Sequence, residues 1–296
     1  EKKMITPAEL PINHRGAVYH LDLRTEEIAD LIITVGDPGR VSLVSQHFDK
    51  IEVQRSHREF VTHTGYLGTN RITVLSTGIG MPNIDIVMNE LDALANIDLS
   101  TRTVNTTKKS LTIIRLGTTG ALTENCLPGD IAISRYAIGF DSLIDYYQYQ
   151  PLGVLETIKE ELSQYLKGES GPFYISESCS QLAEQFSSLG HTGITATCGG
   201  FYGPQGRQLR LPLHYPNLIR QLGTFCTQNY SVINLEMETA AIYALGSMLG
   251  HKCLSLSVVI NNRIHGSFAA DVKSCLDSLI TKSLANIKNI LELSEA

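Results

Sequence analysis

The feature that most constrains this chain is a series of short, apolar, β-rich runs without the alternation of a half-buried strand. Leu31–Val35, Ile72–Leu75, Leu111–Leu116, Ile131–Ser134, Gly193–Cys198 and Cys253–Ile260 are of this kind. Continuous apolar runs suit strands covered on both faces. Helical periodicity lies between several of them. Ile84, Val87, Met88, Leu91 and Ala95 share one face, and so do Met237, Ala241, Ala244, Leu245 and Met248, with Gly250 as a stop signal. Val272, Leu276, Leu279, Leu284, Ile287 and Leu291 predict a long amphipathic helix in the tail. Strand–helix alternation predicts an α/β domain with a mostly parallel or mixed central sheet. Length alone, at 296 residues, allows one domain or two. The polar segments 98–110 and 167–172 are too short for interdomain linkers, so a single domain over 1–296 is expected, with 98–110 an exposed loop or insertion.

Several functional classes are excluded by composition. A net charge of −6 leaves no basic footprint for nucleic acid, so any phosphate must be held by a few local arginines. No apolar run approaches the length of a membrane span. The opening "EKKMITPAELPINHRG" has no apolar core of the signal-peptide kind, although Glu1 implies that the natural start lies upstream. The six cysteines show no metal-binding spacing, which predicts reduced thiols, mostly in the core, of a cytoplasmic protein.

In open α/β sheets, ligands gather at the carboxyl ends of strands. Four unusual segments are expected at or after such ends: "GDPGR" (36–40), "STGIGMP" (76–82), "RLGTTGAL" (115–122) and "VVINNR" (258–263). Glycines let backbone N–H groups approach an anion, and arginine offers a planar fork to phosphate oxygens. Taken alone, "GDPGR" is equally good turn chemistry. Neither the dinucleotide fingerprint nor the P-loop pattern is present. Arg115 interrupts a strand expected to be buried on both faces, so it needs either a core carboxylate or a ligand. In "NLEMETAA" (234–241), Glu236 and Glu238 precede a helical run. They either serve the helix dipole or accept bonds from paired hydroxyls such as those of a ribose.

Together with "VYHLDL" (18–23), "SHREF" (56–60) and "FYGPQGR" (201–207), these segments run in order along nearly the whole chain. The set resembles the nucleoside phosphorylase family and, within it, the uridine phosphorylases. The resemblance implies a single α/β domain whose central mixed sheet, a distorted barrel, is flanked by helices. It implies that Gly36, Arg40, Arg115 and Thr118 hold inorganic phosphate, joined by Arg58 from a neighbouring subunit. Glu238 and the Met237 backbone would hold the ribose hydroxyls, with Glu236 and Thr118 nearby. His20, also from the neighbour, would meet the 5′-hydroxyl. Gln205 and Arg207 would read the uracil edge and, with Arg115, carry the catalysis. Phe201 and Ile260 would pack on the base, with Arg263 behind it.

The implied substrates are uridine and phosphate, with no cofactor, in a homo-oligomer of at least two chains or a hexamer of three dimers. Relatives can hold a monovalent cation such as potassium at the dimer interface, and Glu59 and Ser76 match those positions. By their residues alone, His20 beside Tyr19 reads as a surface histidine, while His57–Arg58 also reads as a solvated pair and Phe201–Tyr202 as core. Purine-specific relatives carry an aspartate near "VVINN", where Ile260 stands here, and Asn261 replaces an aliphatic residue. The alternatives are therefore a purine or broad-specificity phosphorylase, a water-using nucleosidase, or a non-catalytic storage or binding relative.

Overall fold

The computed structural model describes residues 4–295, so residues 1–3 and 296 of the expected domain lie outside the described part. The chain begins its sheet with β1 (Leu31–Val35), then α1 (Gly39–Ser45). A meander follows: β2 (Lys50–His57), β3 (Phe60–Leu67) and β4 (Asn70–Ser76), leading into α2 (Met81–Asn96). The small hairpin β5 (Ile97–Asp98) and β6 (Thr103–Val104) precedes β7 (Thr112–Ala121) and β8 (Ile131–Phe140). After α3 (Val154–Leu166) come β9 (Tyr174–Glu177), α4 (Ser180–Phe186) and β10 (His191–Cys198). The last third holds α5 (Leu218–Leu222), β11 (Cys226–Thr227), β12 (Tyr230–Glu236), α6 (Thr239–Leu249), β13 (Lys252–Asn262), β14 (Ser267–Phe268) and α7 (Val272–Glu295).

All of these strands but β5 and β6 make one mixed sheet, ordered β11-β12-β10-β8-β13-β7-β1-β4-β3-β2, with β9 beside β8 and β14 beside β13. It closes on itself because β12 also pairs antiparallel with β7, through Asn234↔Ala121 and Leu235↔Gly120. The ring β12-β10-β8-β13-β7 is therefore a barrel, and β1, β4, β3 and β2 continue outward from β7 as an open wing. Closure explains why the barrel strands read as unbroken apolar runs: they are covered inside and out.

Each expected strand is present, and most run longer than the apolar stretch that marked them. β7 is the instructive correction. "RLGTTGA" is not a loop beyond a strand end but the body of the strand itself. Its pairing with β13 continues to Asn262↔Ala121, which keeps the polar half extended. Arg115 nonetheless lies level with the end of β1, opposite Thr34. Met237 is a second correction, because it precedes α6 and belongs to the junction between β12 and that helix. α6 is buried all round from Thr239 to Gly246, so it is a central helix with no solvent face along that stretch.

The tail helix α7 lays Leu276, Leu279, Ile280, Leu284 and Ile287 into the core with β1 and β13 residues, as the spacing predicts. Segment 98–110 includes part of the β5–β6 hairpin rather than a free loop. Ile97↔Val104 and Asp98↔Thr103 pair, and Asn96 Oδ1 accepts the Lys109 N–H at 2.7 Å. All six cysteines are free thiols, but only Cys126, Cys198 and Cys253 are fully buried. No described helix is long and apolar enough to cross a membrane.

Candidate active site

A cleft of about 690 Å³ opens where β1, β7, β12 and β13 present their ends or edges. At one end stand Gly36, Arg40, Arg115 and Thr118, and at the other Phe201, Gln205, Arg207 and Ile260. Glu236, Met237 and Glu238 line it as well, and so does Glu59.

The "GDPGR" segment forms the first wall. Asp37 Oδ1 accepts the Gly39 N–H at 2.8 Å, an Asx-type turn that starts α1 and brings Arg40 into its first turn. Arg40 makes no ion pair with any described residue. Burial lowers its pKa against the pull of Asp37, and neighbouring Arg115 adds repulsion that outweighs the help from Glu238. A half-buried, unpaired guanidinium of this kind calls for an anion.

Arg115 is placed differently. Its guanidinium lies over Gly117, where a Cβ would stand 2.0 Å from Nη1, so only glycine leaves room. Nη1 donates to Ser257 Oγ at 3.0 Å, and Nη2 to Glu238 Oε2 at 2.7 Å, with Glu236 Oε2 at 3.2 Å. Burial opposes the charge, but the two glutamates outweigh it and raise the pKa. The ion-pair and ligand readings of Arg115 are thus compatible, since the paired side chain still lines the cleft.

The two glutamates divide their work. Glu236 accepts from Thr197 Oγ1 at 2.6 Å and from the N–H groups of Glu238 and Thr239, at 2.8 and 3.0 Å, at the head of α6. That is the helix-terminus reading, with the carboxylate used up structurally. Glu238 instead spans the cleft: Oε1 accepts the Gly80 N–H at 2.8 Å while Oε2 holds Arg115. Burial raises the Glu238 carboxyl above its usual range, although Arg115 pulls it down.

At the far end, Arg207 stacks on Phe201, 3.9 Å from the ring centre, and donates to Phe201 O and to Gln205 Oε1. Burial lowers the Arg207 pKa, with repulsion from Arg263 next. Gln205 is buried, whereas Phe201 and Tyr202 are 49% and 56% exposed, so the latter two are not core. Arg263 lies behind the cleft lining, donating to Gln205 O at 3.0 Å.

His20 and Arg58 do not line the cleft of their own chain. His20 Nδ1 is 2.7 Å from Glu90 Oε1 on α2, and the His57 ring lies 2.8 Å from the His20 carbonyl. Arg58 sits exposed at the β2–β3 turn with φ of 55°, without a partner among the described residues. Its neighbour Glu59 faces the cleft and accepts from Asn83 Nδ2 at 3.1 Å. Ser76 Oγ donates to Glu59 O at 2.6 Å and accepts the Val61 N–H at 2.8 Å. Glu59 and Ser76 are thus linked within one chain. Cys126, Asp130 and His191 cluster elsewhere, but Asp130 Oδ2 already takes the Leu127 N–H and faces His191 at 3.2 Å. Burial also pushes the Cys126 thiol up to about 12.

The supports missed from the sequence are Gly117, Thr197, Ser257 and Asn83. Of these only Gly117 carried a signal, as the glycine two residues after a strand arginine and hence on the same face.

Comparison with known proteins follows the same outline. A family model described as the phosphorylase superfamily matches residues 30–292. The uridine phosphorylase of Thermococcus kodakarensis is 31% identical over 264 residues, covering 88% of this chain and 83% of that one. A solved Trypanosoma brucei nucleoside phosphorylase, whose structure is described as showing uridine phosphorylase activity, superposes with a TM-score of 0.85. It is 31% identical, with coverage of 94% of this chain and 98% of that one. A DeoD-type purine nucleoside phosphorylase of Buchnera aphidicola is 27% identical over 241 residues, 81% of this chain and 84% of that one.

Proposed function

The chain belongs to the phosphorylase superfamily, and from that membership we propose that it is a uridine phosphorylase, a pentosyltransferase acting on uridine and inorganic phosphate. The single observation that carries the reading is the unpaired Arg40 beside Arg115 at one end of a cleft whose other end holds Phe201, Gln205 and Arg207. One end suits an anion, and the other a flat polar ring.

In this reading phosphate lies against Gly36, Arg40, Arg115 and Thr118. Glu238 and the Met237 backbone hold the ribose hydroxyls, with Glu236 fixing the turn that carries both. Phe201 and Ile260 pack on the uracil, and Gln205 and Arg207 donate to its polar edge. The N1–C1′ bond breaks with its electron pair going to the base, while a phosphate oxygen forms the new bond to C1′. The proton of hydrogen phosphate ends on uracil N1, so the products are uracil and ribose 1-phosphate, and the reaction runs both ways. The sugar passes through oxocarbenium character, which the phosphate charge beneath it stabilises. Because phosphate is the nucleophile, the protein supplies position and charge and no cofactor chemistry.

Arg58 and His20 are assigned to the neighbouring chain's cleft, which makes the working unit at least a dimer, with a hexamer of three dimers as the larger form. Arg58 being exposed and unpartnered at a hairpin tip supports this assignment. No step is routed through a cation at Glu59 and Ser76. A cytoplasmic location fits a nucleoside-salvage enzyme. The purine alternative is disfavoured because the base end, formed by Phe201, Gln205, Arg207, Ile260 and Asn261, offers no carboxylate to protonate a purine. Identifying the sugar product tests the proposal: ribose 1-phosphate in equal amount to uracil supports it, and free ribose contradicts it.

A further inference from the structure

The base end of the cleft contains one polar side chain that none of these roles uses. Asn261 lines the cleft with Ile260. Here β13 carries a bulge: Val259 pairs with Thr119, Asn261 pairs with Gly120, and Ile260 is the extra residue. A bulge breaks the alternation of a strand and re-aims a side chain, which brings both Ile260 and Asn261 to the cleft. Gly120 provides the space, since a Cβ there would stand 2.7 Å from Asn261 Oδ1.

Its neighbour makes the contrast. Asn262 is fully employed: Nδ2 donates to Thr123 O and Cys126 O, and Oδ1 accepts the N–H groups of Ile264 and His265. The Asn261 side chain bonds to no described residue, although its backbone pairs with Gly120 and Phe268. Its Oδ1 is buried against Gly120 without a partner, and no described residue accepts from Nδ2 of this cleft-lining side chain. A carboxamide that the protein leaves unbonded in a ligand cleft is one a ligand can complete.

We propose that Asn261 Nδ2 donates to a carbonyl oxygen of the departing pyrimidine, making Asn261 a base-recognising residue of this chain. This rests on the uridine phosphorylase reading. As the N1–C1′ bond breaks, the electron pair spreads over the ring and its two carbonyl oxygens. Each oxygen has two lone pairs, so Asn261 adds to Gln205 and Arg207 without displacing them. A donor gains strength as its acceptor gains charge, so this contact counts more in the transition state than in the bound substrate.

The test compares the unmodified enzyme, Asn261→Val and Asn261→Asp on uridine and 5-fluorouridine, whose base leaves more easily as an anion. Unmodified enzyme that fails to cleave uridine would overturn the parent reading, and that is seen before any variant is made. Given uridine cleavage, Asn261→Val should lower kcat/KM for uridine by about 10- to 100-fold, as expected for one bond to a charged group. The loss should be smaller on 5-fluorouridine, and the KM for phosphate should be unchanged. Equal losses on both substrates, or activity within about twofold of the unmodified enzyme, would overturn the assignment. Asn261→Asp keeps the shape and decides the matter even where Asn261→Val does not fold. Its activity should fall relative to the unmodified enzyme as pH rises and the new carboxylate ionises beside the base anion. Parallel pH profiles would overturn the proposal.

Discussion

Arg115 Nη2 lies 2.7 Å from Glu238 Oε2, so the groups assigned to phosphate and to ribose are bonded to each other across the cleft. Arg115→Ala removes the cation shared by two buried carboxylates. It should cut kcat/KM by about 10²–10³-fold, by analogy with losing an oxyanion donor. It should also destabilise the fold by about 3–5 kcal/mol, the usual cost of stranding a buried charge. Adding Glu238→Gln should restore part of the stability and none of the activity. Thermal unfolding and uridine assays on both variants check this, and full activity in Arg115→Ala would make the arginine purely structural.

The same pair gives a pH dependence. Glu238 is raised above its usual value of 4.5 by burial, against the pull of Arg115. The folded chain therefore holds this proton more tightly than the unfolded chain. The stability that protonation contributes is fully present below the unfolded value and is lost as pH climbs through the raised one. Glu238→Gln lacks this loss, so its stability relative to the unmodified protein should improve as pH climbs through that window. Urea unfolding at stepped pH measures the difference, and a difference that does not change with pH would contradict the shift.

Gly117 is predicted to matter to phosphate, although it is not assigned to touch the ligand. Alanine there would place Cβ 2.0 Å from Arg115 Nη1 and push the guanidinium aside. The packing strain should be about 1–3 kcal/mol. The KM for phosphate should rise more than the KM for uridine, and an unchanged phosphate KM would mean Arg115 does not hold the anion.

Much of this was legible in the residues, and the gaps have physical causes. Arg115 stood out as a charge in an apolar strand, and "GDPGR" as a turn closing one. The extent of β7 was hidden because Gly117, Thr118, Thr119 and Gly120 read as loop residues, while β13 pairs with all four and barrel closure adds β12 beside Gly120. β2 and β3 were missed because neither is a continuous apolar run: β2 alternates exposed and half-buried positions with only Ile51 and Val53 apolar, and the buried positions of β3 include Thr62, Thr64 and Gly65. Glu236 and Glu238 looked equivalent in "NLEMETAA". Only the geometry at the head of α6 separates the carboxylate that holds the helix from the one that bridges Gly80 and Arg115. Asn261 was visible as a polar departure, but its freedom depends on a bulge and on Gly120, which only the pairing reveals.

Site sharing gives a complementation prediction. Arg58→Ala and Arg40→Ala chains should each be weak alone. In a mixed dimer, one site receives intact Arg40 from one chain and intact Arg58 from the other, while the second site loses both. Exchanging subunits between the two inactive variants should therefore return part of the activity. No recovery after exchange, confirmed with labelled chains, would take Arg58 out of the neighbour's cleft.

The most direct measurement is the initial rate of uracil release from uridine as inorganic phosphate is titrated from none to saturation in a non-nucleophilic buffer. Arg40 and Arg115 are read as the seat of the nucleophile, so the rate should be at background without phosphate and rise along a saturating curve. Release of uracil at full rate in water alone would contradict that account, leaving the arginines without an anion to hold.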